Sequence, residues 1–361
     1  MKGRVIVWMA ALLLLLTGCG RGLPQSREMD DTALMRTMGV DVGAPPEEKL
    51  VTASTARRAK GLQADGQPPL ILSAQRPSIS GACLAMQGLS DSYVFYGHVD
   101  QLLLGEELAR QGGVQETLEH FSRDEQLGLG AKVWLIRGDT AESAIRAGEE
   151  KGVNDRLSSL QEDGEMGVAG LTRTAGEVLT DLLENGSAYL PALALNQGED
   201  TALLECGYGV LSGDTLVGWL SGEAARGLEL LQRRPGAQLL ELEGVSVRMA
   251  TSTLTCVPVM DGGRLVGLEL DVRLLGQVEE RRGSLLTWAE LEERVQETEQ
   301  KRAELVLGQL QMWNADCLSL KRLAGSARPE WWKAIQQQWE ERFPDLEIQV
   351  RCTAVVTDVE T

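Results

Sequence analysis

The sequence predicts a mixed α/β fold of the α+β class, organised in several domains, with mostly antiparallel sheets flanked by helices. Three observations predict it. Short segments rich in strand-forming residues recur in both halves of the chain, separated by glycine-containing turns. Between them lie stretches whose apolar residues repeat at helical spacing. Thr287 and Glu290 have capping-box spacing and open one long helix in the C-terminal half.

The N-terminus is a predicted lipoprotein signal peptide. Lys2 and Arg4 precede an apolar stretch at 5–16, about a dozen residues, which fits a signal-peptide core and is too short for a membrane span. The stretch ends in Leu-Thr-Gly-Cys, which fits the bacterial lipobox, so Cys19 is the predicted site of a diacylglycerol. Because two acyl chains hold a protein stably at a bilayer, we expect a membrane lipid anchor on the extracytoplasmic face.

This interpretation divides the chain into four segments. Residues 1–18 form the cleaved signal peptide and 19–30 a lipidated tether. Residues 31–195 form one or more N-terminal α/β domains, and 196–361 form a C-terminal α/β domain with the long helix. The mature chain is thus a predicted ectodomain of more than one domain.

The chain is strongly acidic, with a formal net charge of −18. Cleavage removes Lys2 and Arg4 but no acidic residue, so the mature chain carries two fewer positive charges. An acidic surface is repelled by nucleic-acid phosphates and by anionic lipid headgroups. We therefore expect no nucleic-acid partner, and we expect contact with the membrane through the lipid.

The first elements of the N-terminal half are predicted from alternation and helical spacing. Strands are predicted over 33–43, 49–58 and 69–75, and a helix over 79–91. Residues 148–176 are rich in Gly and Glu and show weak periodicity, which predicts a surface connection.

The block between these segments predicts strand, helix, strand, helix. The first strand is predicted over 94–104, the helix over 106–123 and the second strand over 131–136. Asp139 and Glu142 have capping-box spacing and are predicted to open the last helix.

The C-terminal half predicts a hairpin, a helix and then a strand meander. Two strands are predicted to meet at Gly213, with a helix from about Gly222. The meander is predicted over 238–249, 253–260 and 264–274.

The long helix is predicted to carry one apolar stripe, and a second, aromatic helix is predicted to follow Pro329. Residues 346–354 alternate apolar and polar, as a half-buried final strand requires. The stripe consists of Val306, Leu310, Trp313, Cys317, Leu320 and Ala324. The aromatic helix carries Trp332, Ile335, Trp339 and Phe343 on one face.

The remaining cysteines indicate buried free thiols. No Cys-x-x-Cys pair is present, so neither a zinc ribbon nor a disulfide scaffold is predicted. A bridge between Cys206 and Cys256 stays open as an alternative. The five cysteines are Cys83, Cys206, Cys256, Cys317 and Cys352.

Known catalytic and metal-binding motifs are missing from the sequence. His98, in a predicted strand, and His120, in a predicted helix, do not have the spacing that places two ligands on one metal. A Ser-His-Asp triad stays open, although no Gly-x-Ser-x-Gly elbow supports it. We therefore expect no metal, no cofactor and no enzymatic activity.

Several blocks, in order along most of the chain, resemble the Ger(x)C family, the lipoprotein C subunits of spore germinant receptors in endospore-forming bacteria. Two features depart from the family pattern: Gly20 stands where a Trp often follows the lipidated cysteine, and residues 148–176 do not match. The matching blocks are the lipobox at Cys19, 27–41, 95–110, 213–227, Asn314–Asp316 and 329–356.

The resemblance implies a non-enzymatic subunit on the outer leaflet of the spore inner membrane. It implies assembly with membrane-spanning A and B subunits and a requirement for nutrient-triggered germination. An alternative is a lipoprotein solute-binding component of a transporter, and a cell-wall hydrolase is a third.

The resemblance transfers one functional residue, Cys19, as the lipidation site. Further residues of the matching blocks are candidates for partner or packing contacts, with packing favoured for the glycines and the tryptophan. These candidates are Gly97, His98, Glu106, Glu107, Gly218, Trp219 and Glu223.

Overall fold

The computed structural model confirms the mixed α/β fold, with two main sheets, flanking helices and a long helix in the C-terminal part. The signal peptide, the tether and Cys19 lie outside the described residues. The described residues are 32–45, 48–56, 58–60, 63–148, 152–196, 202–234 and 239–358.

The described strands, in chain order, are β1 (Thr32–Val42), β2 (Lys49–Thr55), β3 (Arg58–Lys60), β4 (Gln63–Gln67), β5 (Ile71–Arg76), β6 (Tyr93–Phe95), β7 (Gln101–Gly105), β8 (Lys132–Arg137), β9 (Ser187–Asn196), β10 (Ala202–Ser212), β11 (Thr215–Leu220), β12 (Leu239–Leu242), β13 (Val245–Asp261), β14 (Arg264–Arg281) and β15 (Glu347–Asp358).

The described α-helices are α1 (Ile79–Gln87), α2 (Glu106–Arg110), α3 (Val114–Arg123), α4 (Ala141–Ala147), α5 (Val153–Glu165), α6 (Ala175–Asn185), α7 (Glu223–Leu231), α8 (Trp288–Met312), α9 (Leu320–Ala327) and α10 (Trp332–Arg342). Single 3₁₀ turns at Pro329–Trp331 and Phe343–Asp345 flank α10.

The larger sheet has nine strands, in the order β11-β10-β9-β8-β7-β1-β2-β5, with β6 paired to β1. Most strand pairs of the protein are antiparallel, as predicted, but the centre of this sheet, from β1 through β7 and β8 to β9, is parallel. The central strands are apolar on both faces: Leu102, Leu103 and Leu104 are all buried. Parallel strands need such two-sided burial because helices cover both faces.

Helices pack on both faces of the larger sheet. Apolar residues of α1, α3 and α6 share one core with β1 and β7. On the opposite face, α4 and α5 share a second core with Leu103, Trp134 and Ile136. The N-terminal part is thus three layers, helix, sheet and helix.

The smaller sheet has the order β12-β13-β14-β15, with β14 and β15 parallel. Helices α8, α9 and α10 contribute buried residues to its core. Tyr189, Tyr208 and Val210 of the larger sheet belong to that same core. The two sheets are therefore joined by continuous apolar packing.

In the block predicted as strand, helix, strand, helix, the first strand and the first helix are each split in two. The predicted strand over 94–104 is β6 and β7, separated by a turn in which Val99 N–H donates to the Tyr96 carbonyl, so His98 lies in a turn and not in a strand. The predicted helix over 106–123 is α2 and α3. Gly112, at φ +78°, breaks it, because that left-handed conformation cannot continue a right-handed helix.

Two further predictions in this half were wrong. Thr140, not Asp139, caps α4, with its hydroxyl accepting from Ser143 N–H. Residues 148–176 are not simply a surface connection, because α5 lies within them and buries Val153, Leu157 and Leu160. Those three residues have helical spacing, which the surrounding Gly and Glu residues obscured.

In the C-terminal half the predicted hairpin at Gly213 and the Thr287–Glu290 capping box are confirmed. The predicted stripe does not lie on one helix. Helix α8 ends at Met312, Asn314 adopts φ +48°, and the stripe continues on a separate helix, α9. The five cysteines after Cys19 are free thiols, so the Cys206–Cys256 bridge is wrong.

Candidate interaction surface

Glu106 and Trp219 lie in one cluster at the end of β7 and β8, although they are far apart in sequence. The Glu106 carboxylate accepts from the Gly138 N–H at 2.7 Å and also pairs with Arg110. The Arg137 guanidinium lies 5.0 Å from the centroid of the Trp219 ring. The cation–π contact between Arg137 and Trp219 therefore holds β11 against the end of β8. The hydrogen bond between Gly138 and Glu106 holds α2 at the same place.

Gly97 and His98 form the exposed tip of the turn between β6 and β7. The His98 ring makes an edge contact with Phe95, with ring centroids 5.8 Å apart. A Cβ at Gly97 would lie 2.4 Å from Phe95 Cζ, so the position has no room for a side chain unless Phe95 moves. This turn precedes β7, whereas Glu106 and Glu107 follow it. The structure therefore places the two groups of candidates at opposite ends of β7.

Gly218 makes the closest contact between the hairpin β10–β11 and the C-terminal helices. A Cβ at Gly218 would lie 2.2 Å from Trp313 Cζ2, so the indole packs directly on the bare backbone. The Ser212 hydroxyl donates to the Asn314 carbonyl at 3.2 Å in the same region. Gly218 serves packing between the larger sheet and the C-terminal helices, as the sequence favoured for the glycines.

Glu223 belongs to an ion-pair network between α7 and α8. Its carboxylate lies 2.5 Å from Arg302 Nε, and Arg302 also pairs with Glu299 at 2.6 Å. Glu223 is largely exposed, whereas Glu299 is buried. Burial raises the pKa of Glu299, opposed by the Arg302 charge. The network forms where Gly227 lets the helices approach, since a Cβ there would lie 2.2 Å from the Arg302 carbonyl oxygen.

Sequence reasoning missed two buried carboxyl groups that cap helices. Asp41 accepts from the N–H groups of Ala141 and Glu142 at 2.8 and 2.9 Å. Asp316 likewise accepts from Leu320 and Lys321 at 2.8 and 2.9 Å. Both carboxyls lie at a helix N-terminus, where amide donors and the helix dipole favour negative charge.

Burial dominates the ionisation of both groups. It raises the pKa of Asp41 to about 6 and that of Asp316 to about 7, against the lowering effect of the amide hydrogen bonds. Asp41 ends the matching block 27–41, and Asp316 ends the Asn-Ala-Asp block. A short acidic residue at the end of each block was the available signal, but their helix partners could not be deduced from it.

The free thiols are held in the protonated form. Burial raises the pKa of Cys83, Cys256 and Cys352 to about 12 in each case, and it also raises the pKa of Cys206 and Cys317. Since the thiolate is the nucleophile, the raised pKa of each thiol lowers its reactivity at neutral pH.

The described residues contain neither a metal-ligand cluster nor a membrane-spanning helix. No group of three or more His, Cys, Asp or Glu side chains in that part of the chain could hold a metal ion. None of the described helices is both long enough and apolar enough to cross a membrane.

These features define a class: an α/β scaffold whose matching blocks mostly serve packing, capping and ion pairing around two joined sheets. Comparison with known proteins specifies the family. Residues 25–195 match the spore germination protein N-terminal domain, and residues 206–360 match the spore germination B3/GerAC-like C-terminal domain. The chain belongs to the GerAC-like family of spore germination proteins.

Two relatives span most of the chain. Spore germination protein B3 of Bacillus subtilis (strain 168) is 20% identical over 355 residues, which cover 93% of this chain and 92% of the relative. The crystal structure of the GerBC protein has the same fold, with a TM-score of 0.57 and 18% identity, over 88% of this chain and 96% of that one.

Proposed function

We propose that this protein is the lipid-anchored C subunit of a spore germinant receptor. It is held by a diacylglycerol on Cys19 at the extracytoplasmic face of the spore inner membrane, and it is needed for nutrient-triggered germination. It acts by assembly with membrane-spanning A and B subunits, and it is not an enzyme.

The observation that carries the proposal is the match of both halves of the chain to spore germination domains. The lipobox at Cys19 supports the anchor, because it precedes the matched fold by only a short tether. The protonated thiols and the structural use of Glu106 and Glu223 are consistent with a scaffold. The solute-binding alternative has no comparable support.

Two of the predicted candidates are free to meet a partner. His98 is exposed at its turn, and Glu107 is exposed on α2, where its carboxylate accepts from the side chain of Gln111, the residue that follows this helix. Glu106, Gly218, Trp219 and Glu223 are engaged within the fold. We propose Glu107 as a contact to the A or B subunit, because its carboxylate can change partner at little cost to the fold.

Copurification of the A and B subunits with the tagged, lipidated chain from spore membranes tests this assembly. We expect both subunits with the wild type and several-fold less with Glu107→Lys, since a reversed charge opposes the original contact. Glu341→Lys, an equal charge change at an exposed position on α10, is the matched control.

Absence of the A and B subunits from the wild-type sample would contradict the assembly. Equal recovery of the A and B subunits with Glu107→Lys and with Glu341→Lys would contradict only the role of Glu107.

A further inference from the structure

A cleft rich in arginine lies where the larger sheet meets the C-terminal helices. It has a volume of about 250 Å³, and its lining comes from four segments: residues 171–181 at the start of α6, Tyr189 on β9, the turn after α7, and the start of α9. Its charged lining residues are Arg173, Arg233, Arg234, Arg322, Glu177 and Asp181. The cleft is outside every block that the proposed assembly uses for its contacts.

The lining is basic in a chain of net charge −18. Arg173 is buried and already balanced: it pairs with Asp181 at 2.7 Å, lies 4.0 Å from Glu177 and stacks over Tyr189 at 4.4 Å. Both acidic residues of the lining are therefore used by one arginine. The excess positive charge belongs to the other three.

Arg233, Arg234 and Arg322 are exposed, and no carboxylate in the described part of the chain forms an ion pair with them. Glu165 interacts with Arg234 only weakly: its hydrogen bond with Lys132, with an N–O distance of 3.1 Å, is the main cause that lowers its pKa, and the charge of Arg234 adds a smaller lowering. Three guanidinium groups thus line a small cleft with no ion-pair partner of their own among the described residues.

The backbone around the cleft is fixed in an unusual conformation. Arg233 at φ +64° and Ser319 at φ +58° both line it, and both are non-glycine residues in the left-handed region. Asn185 Nδ2 donates to the Ser319 hydroxyl at 2.9 Å, and Gln232 Nε2 donates to the Cys317 carbonyl at 3.5 Å. Arg233 is the left-handed residue that caps the C-terminus of α7, where Arg233 N–H donates to the Leu230 carbonyl and Arg234 N–H to the Glu229 carbonyl, both at 3.0 Å. These bonds fix the backbone that carries Arg233 and Arg234 at the rim of the cleft.

We propose that this cleft binds a small, doubly charged oxyanion, namely a phosphate group or a dicarboxylate. Guanidinium groups bind both through paired, charge-assisted hydrogen bonds. The volume of about 250 Å³ lies just below the usual range for small-molecule sites, which suits a small anion, and it is too small for a folded segment of a partner protein. The site goes beyond the proposed function, because assembly with other subunits does not require it.

Titration calorimetry of the full lipidated chain in detergent micelles tests the site. Inorganic phosphate and malonate, each at low ionic strength with chloride as the reference anion, are the two probes. We expect saturable binding of at least one, and the tighter probe shows whether a phosphate group or a dicarboxylate is preferred. Arg234→Gln with Arg322→Gln should weaken binding about tenfold for each arginine removed.

The control is Arg273→Gln with Arg351→Gln, which removes the same charge from exposed positions on the smaller sheet and should bind as the wild type does. All four arginines are exposed, so the fold should tolerate their replacement. Absence of saturable binding to the wild type would overturn the proposal. So would unchanged binding by the cleft variant, or equal loss in the control.

Discussion

Among single residues, Gly218 on β11 and Trp313, which follows α8, join the larger sheet to the C-terminal helices. Gly218→Ala should lower the free energy of unfolding by about 1–3 kcal/mol, because the new methyl group would overlap the indole and force it from its packing. Urea unfolding measures the change. Gly308→Ala is the control: nothing lies within 4 Å of a Cβ at that helical position, so it should be neutral or stabilising. Equal stability of both variants would mean that Trp313 moves freely.

Asp316 should make stability depend on pH. Its pKa is about 7 in the folded protein against an ordinary 3.8, so between those values the unfolded chain binds fewer protons. The contribution of this carboxyl to stability is therefore largest at low pH and falls as pH rises through that window, by up to about 1.4 kcal/mol per unit. Asp316→Asn should remove this contribution to the pH dependence of stability, whatever pH-independent change in stability the substitution also causes.

Urea unfolding of the wild type and the Asn variant from pH 4 to 8 gives the slopes. Asp91→Asn, at an exposed position, should keep the wild-type slope. Parallel curves for the wild type and Asp316→Asn would contradict the account of a buried carboxyl that holds its proton.

The sequence could reveal local capping but not these distant caps. Thr287 and Glu290 are three residues apart, and both of their reciprocal hydrogen bonds form as predicted. Asp41 caps a helix that begins a hundred residues later along the chain, at Ala141. Local spacing contains no information about that partner, because the tertiary fold creates the contact.

At the scale of elements, the crossing of α7 and α8 depends on Arg302. Arg302→Gln should cost about 3–5 kcal/mol, because it leaves the carboxylate of Glu299 buried without its partner. Glu223→Gln should cost less than about 1 kcal/mol, since Glu223 is largely exposed and the buried pair survives. Urea unfolding compares the two, and a cost for Glu223→Gln as large as that for Arg302→Gln would show that burial of Glu299 is not the cause.

Predicted elements were most accurate where spacing and turn residues agreed. The hairpin at Gly213 and the helix after Gly222 formed as predicted, because a left-handed glycine occupies each turn. The helix predicted over 106–123 was broken at Gly112, where apolar spacing on both sides concealed the interruption. A glycine tolerated inside many helices gives no signal of whether it will take positive φ.

At the scale of the whole molecule, the order of the strands in the larger sheet could not be predicted from the sequence. The parallel centre of the larger sheet depends on which helices cross which face, and alternation within one strand does not specify it. The seven candidate residues were chosen because they lie in the blocks that resemble the family. In the fold, however, Gly97 and Glu106 lie at opposite ends of β7. The arginine cleft gathers residues from four separate segments and has no local signature.

The two halves that match the family domains share one hydrophobic core. Tyr189 and Tyr208 of the larger sheet pack in the same core as the C-terminal helices.

Dipicolinate release from spores carrying Cys19→Ala, across a panel of nutrient germinants, tests the central claim most directly. Membrane fractionation of the same spores shows whether the variant has left the membrane, and Cys83→Ala, at a half-buried thiol outside the lipobox, is the matched control. The account predicts release of the Cys19 variant from the membrane and loss of response to particular nutrients, with other responses and the control intact. An unchanged response to every nutrient, or a variant that still sediments with membranes, would contradict a lipid-anchored receptor subunit.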